Sequence, residues 1–157
     1  MSKVIFDFGA HKGQNITYYL NRADYLVCVE ANPILCKNIK IDFRQYINEG
    51  RLFVENFALS NQKLSSEKFY IHKTKSTHSQ LLKPTEPSNF NEISVPTMKA
   101  STLIKNYLNK FKLEKAHYIK IDIEYMDHIV LHDILKFKIK FDYISCECHS
   151  SNVLNEL

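Results

Sequence analysis

A chain of 157 residues, 45% hydrophobic and 24% charged, has the size of a single domain with a real core, which excludes a disordered segment. Its net charge of +4 is mild, and the lysines are scattered apart from Lys136, Lys138 and Lys140, so a nucleic-acid partner is not indicated. No apolar run approaches the roughly 20 residues of a membrane span, and Met1-Ser2-Lys3 leads into the first strand pattern without signal-peptide features, so no membrane partner and a cytoplasmic location are expected.

The apolar, β-branched run at residues 3–8 predicts a strand buried on both faces of a parallel sheet. It ends in Asp7-Phe8-Gly9-Ala10-His11-Lys12-Gly13, where Gly9 can turn the backbone sharply and Gly13 allows a close approach at the start of a helix expected over residues 13–21. A second strand follows at 25–30. It closes on Glu30, about seventeen residues past Gly13, near the roughly 20-residue offset at which an acid meets ribose hydroxyls in dinucleotide folds. Pro33 suits a first helical turn, and Leu35, Ile39, Phe43 and Ile47 repeat every four residues, predicting one amphipathic helix that ends at Gly50.

Strand patterns at 51–55 and 68–72 come next, then a Ser-, Thr-, Asn- and Pro-rich stretch, 73–92, expected to be a mobile loop that sets specificity. Strand character returns at 93–96. Ser101 is placed to cap a helix that turns Leu103, Ile104, Tyr107, Leu108 and Phe111 inward. A strand at 117–123 ends in acids, a helix at 126–136 is expected to bury Ile129, Val130, Ile134 and Leu135, and a last strand covers 141–148. Strands alternating with helices predict an α/β fold, a Rossmann-like doubly wound and mostly parallel sheet.

The first loop narrows the ligand. Ala10 and His11 stand where the second glycine of G-x-G-x-x-G would fall, which disfavours a pyrophosphate lying on the backbone and hence a nicotinamide oxidoreductase. The spacing from Gly9 to Gly13 is one residue short of a P-loop, and Gln14-Asn15 replace Lys-Ser. The remaining D-x-G-x-x-x-G pattern fits S-adenosylmethionine, whose amino-acid tail needs carboxylates and backbone polar groups; the lesser alternative, once Glu30 is counted, is an ordinary strand-to-helix turn with glycine chosen for packing. Cys28, Cys36, Cys146 and Cys148 form no C-x-x-C pair and read as reduced thiols. His128 and His132 lie four apart on a helix without H-E-x-x-H, so no metal is expected.

Taken in order, Phe6-Asp7-Phe8-Gly9-Ala10-His11-Lys12-Gly13, Val29-Glu30-Ala31-Asn32-Pro33, Asn56-Phe57-Ala58-Leu59-Ser60, Lys120-Ile121-Asp122-Ile123-Glu124 and Ser145-Cys146-Glu147-Cys148-His149 resemble the FkbM-like family of S-adenosylmethionine-dependent methyltransferases over nearly the whole chain. The resemblance implies the class I methyltransferase form of the fold. It also implies that Glu30, with Ala31 and Asn32, holds the cofactor ribose and that Asn56 and Ala58 meet adenine. Two departures stand out. Tyr125 occupies the place of a usual glycine, and the chain stops at Leu157, before the strand hairpin that ordinarily closes the fold. Truncation, or a partner such as a second copy covering that sheet edge, is the expectation.

Methyl transfer is an in-line displacement in which positioning supplies much of the rate. Asp7 is expected to orient the loop or the methionine amine, and Gly9, Ala10 and Gly13 to line the methionine side. Asp122 and Glu124, at a strand's carboxyl end where open α/β sheets bind ligands, are the acceptor-side candidates, and Asp122 is also expected to meet the cofactor. Asp122 is the first choice of base and His149 the second. Glu147, read as buried within a strand, calls for a partner, for which Lys120 is the natural candidate. The resemblance implies O-methylation of a sugar or other small molecule as the activity. Alternatives are an RNA or protein methyltransferase, marked by strong salt dependence of RNA binding, and a non-catalytic cofactor-binding or assembly module, marked by binding without turnover.

Overall fold

The computed structural model describes residues 2–147. Five parallel strands form the central sheet in the order β3-β2-β1-β8-β9, namely β1 (Val4–Phe8), β2 (Tyr25–Val29), β3 (Leu52–Glu55), β8 (Ala116–Ile121) and β9 (Phe141–Cys146). All five residues of β1 are buried, because β1 lies mid-sheet with helices on both faces. Val4, Phe6 and Phe8 point to one face, where α4 (Ala100–Phe111) and α5 (Asp127–Lys136) contribute Leu103, Ile104, Val130 and Ile134. Ile5 points to the other, with Leu26, Cys28 and Val54, against α1 (Ile16–Leu20) and α2 (Pro33–Asp42). The doubly wound α/β fold expected from the alternating pattern is the one formed.

Several local expectations are corrected by contacts from elsewhere. The single helix over residues 33–50 is two, α2 and α3 (Arg44–Asn48), broken at Phe43 (φ −110°, ψ 22°). A four-residue repeat advances about 40° per step on an α-helix, so an unbroken helix would carry Phe43 and Ile47 off the sheet. The break returns both to the core. The first helix is confined to Ile16–Leu20 because Gly13 has left-handed backbone, φ +75°. Ser101 is not a cap: α4 begins at Ala100 after Lys99, and its Ser101 N–H is accepted by Asp133 of α5 at 2.7 Å. Leu135 is 48% exposed, since Asp133 and Ile134 take the inward positions.

The stretch expected to be a loop is partly strand. Phe90–Val95 (β6) pairs antiparallel with β5 (Glu67–His72), from Glu67 opposite Val95 to His72 opposite Phe90. Short 3-10 turns occupy Ser76–His78 and Pro87–Asn89 within the connection. Two short parallel strands, β4 (Ala58–Leu59) and β7 (Thr97–Met98), lie at the base of this hairpin. Phe69, Leu81, Val95, Met126 and Ala58 form a third apolar cluster, which fixes the hairpin over the carboxyl end of the central sheet. Among the described residues no helix is long and apolar enough to cross a membrane.

Candidate active site

A cavity of about 340 Å³ opens at the carboxyl ends of β1, β2 and β8, a size usual for small-ligand sites. Its floor is the turn after β1. Gly9 adopts φ +85°, and a Cβ there would lie 1.8 Å from the Asp122 carbonyl oxygen. Only glycine lets the turn pass this close to the end of β8. Gly9 and Ala10 donate to the Val29 carbonyl (3.0 and 3.1 Å), and Asp122 donates to Phe8 (3.0 Å), so the loop is fixed between two strand ends. Gly13 serves packing, because a Cβ on it would meet Ile16, Phe43 and Ile39 at 2.8–3.3 Å.

Glu30 follows β2 and is only 8% exposed. Its two carboxylate oxygens accept the His11 and Asn32 backbone N–H groups, each at 2.8 Å. Burial pushes the Glu30 carboxyl up to about 7, although these two N–H bonds pull the other way. A carboxylate offers about four lone-pair sites, so Glu30 keeps accepting capacity toward the cavity. Asn32 turns away to cap α2, accepting from Ile34 and Leu35 at 3.0 and 3.4 Å. Asn56 donates to the Glu30 and Ala31 carbonyls at 2.8 and 3.1 Å and so holds the exit of β2 from behind.

A charged cluster supports the β8 side. Lys120 Nζ lies 3.0 Å from Asp122 and 3.4 Å from Asp7. Asp7 is 1% exposed, and its Oδ1 makes no hydrogen bond among the described residues, so the contact with Lys120 is coulombic. Burial pushes the Asp7 carboxyl up to about 6 against the pull of Lys120. Burial alone would lower the Lys120 ammonium, but Asp7 and Asp122 outweigh it and hold it above its ordinary value. Asp122, 43% exposed at its side chain, lies on the cavity wall.

The structure therefore gathers Gly9, Glu30, Ala31, Ala58, Asp122 and Glu124 around one cavity. Asp7, Ala10, Gly13, Asn32 and Asn56 brace it from behind. Glu124 and Tyr125 both have left-handed backbone, φ 55° and 65°, and Tyr125 stands where the resemblance expects glycine. Glu147 is exposed just past β9, so the burial that called for Lys120 as its partner is absent. Cys148 and His149 lie outside the described residues. The sequence reading missed His11, Gln14 and the hairpin residues Thr77, His78, Ser79 and Leu81, all of which line the cavity. A histidine replacing the second loop glycine was the available signal for the first; the others depend on how the hairpin folds back.

The family of this fold follows from the sequence itself, since the model of the methyltransferase FkbM domain matches residues 7–156. The chain belongs to the methyltransferase FkbM domain family. Among solved structures it is similar to the methyltransferase FkbM from Methylobacillus flagellatus KT, with a TM-score of 0.57 over 90% of this chain at 14% identity. That likeness is one of fold, and this FkbM domain spans 32% of the length of that protein. No curated protein matches it.

Proposed function

We propose that this domain transfers a methyl group from S-adenosylmethionine to a hydroxyl of a sugar or another small molecule. The observation that carries the reading is the buried Glu30 carboxylate on the wall of the cavity, beside a turn whose glycine leaves bare main chain at the strand ends. A carboxylate there suits a ribose diol. Phe57, Ala58 and Leu59 supply an apolar surface for the base, and Gly9 leaves room for the amino-acid tail. The donor set thus fits a nucleoside with a zwitterionic side chain, and among the described residues no lysine or arginine lines the cavity to cradle phosphates.

When bound, the sulfonium supplies an electrophilic methyl carbon. Asp122 then takes the proton of the attacking hydroxyl, and Lys120, 3.0 Å away, orients its carboxylate. Glu124 and the hairpin residues Thr77, His78 and Ser79 form the acceptor side. Cys28 and Cys36 are buried free thiols, which suits the reducing cytoplasm. Calorimetry with S-adenosylhomocysteine, followed by transfer of labelled methyl to a panel of glycosides, tests the reading. Failure to bind the thioether removes it, and binding without turnover on any acceptor points to a non-catalytic module.

A further inference from the structure

We infer that His11 binds the carboxylate of the cofactor's amino-acid tail and gains a proton when it does so, an assignment that rests on the S-adenosylmethionine reading. Glu30, Asp122, Glu124 and Glu147 line the cavity, and no lysine or arginine does so among the described residues. The acids suit an ammonium and a sulfonium. An α-carboxylate entering the same space is stabilised by a positive partner, and among the described lining residues the imidazoles of His11 and His78 can become one. His78 sits on the hairpin, with Nδ1 3.0 Å from Thr77 Oγ1. His11 sits on the turn between Gly9 and Gly13, where the tail must lie if Glu30 holds the ribose.

The His11 backbone fixes its place. Its φ of +52° is left-handed, a conformation histidine adopts more readily than most side chains. Its N–H donates to Glu30 Oε2 at 2.8 Å, so one carboxylate sets the position of both the sugar site and the histidine. Burial, followed by Lys12 on the same turn, lowers the His11 imidazole below its ordinary value; Lys120 acts in the same sense and Asp122 opposes. The free protein therefore holds His11 largely neutral at neutral pH. An arriving carboxylate reverses this balance, and the ring takes a proton from solvent.

Calorimetry at pH 7 in buffers of different ionisation enthalpy measures the protons exchanged. S-adenosylhomocysteine should bind with a His11-dependent uptake of at least about half a proton, whereas adenosine, which lacks the tail, should show none. His11→Asn tolerates the left-handed backbone, and it should lose this uptake and bind the thioether about 10-fold more weakly. In the unmodified protein the His11 imidazole resonance should titrate at higher pH once the thioether saturates the site. Equal uptake in wild type and variant, with an unmoved resonance, overturns the assignment while leaving the cofactor reading intact. No binding of the thioether by the wild type overturns both.

Discussion

Gly9 and Gly50 both hold positive φ, yet replacing them should have very different consequences. A methyl on Gly9 meets the Asp122 carbonyl at 1.8 Å, whereas one on Gly50 meets nothing within 4 Å. Gly9→Ala should therefore lower stability by at least about 3 kcal/mol, and Gly50→Ala by only about 1 kcal/mol, the left-handed penalty alone; urea denaturation of the two variants measures the contrast. Glu30 has two duties, and Glu30→Ala removes both. Cofactor affinity should fall by about 10-fold or more, read by titration with S-adenosylhomocysteine, and an unchanged affinity would remove the ribose assignment. Asp122→Asn should instead spare that affinity and lower kcat by roughly 10²-fold or more, a split expected of a group that acts on the acceptor.

Between elements, the tie from Asp133 of α5 to the Ser101 N–H of α4 supplies a helix cap from outside the helix. Asp133→Ala leaves a buried N–H without its acceptor and should cost about 2 kcal/mol, measurable as a lower urea midpoint with an unchanged m-value. Nothing near Ser101 in sequence announces this tie, which is why a local cap was expected instead. Legibility followed the range of the cause. The burial of β1 and the inward face of α4 were readable because apolar spacing alone sets them, and the turn at Gly9 and the acid at Glu30 because their chemistry sits in short runs. The break at Phe43, the pairing of Phe90–Val95 with β5, the pairing of Lys120 with Asp7 and the placement of His78 all depend on residues distant in the chain.

Across the whole molecule, two buried acids shape the dependence of stability on pH. Burial raises Glu30 from 4.5 to about 7 and Asp7 from 3.8 to about 6. As pH rises through the ordinary carboxylate range, the unfolded chain releases these protons while the native state keeps them. The native state then binds more protons, so stability falls with rising pH and levels off once both groups have ionised, above about 7. Urea midpoints should decline between pH 5 and pH 7, and Glu30→Gln should flatten that decline. The sheet order has a consequence for how the protein is made. Ile5 of β1 pairs with Tyr118 of β8, so the middle of the sheet joins segments far apart in the chain. Such distant partners predict slow, late-committing folding, and the Gly9 turn can reach its final shape only after Asp122 has left the ribosome. A nascent chain stalled before that point should be unable to retain a nucleoside.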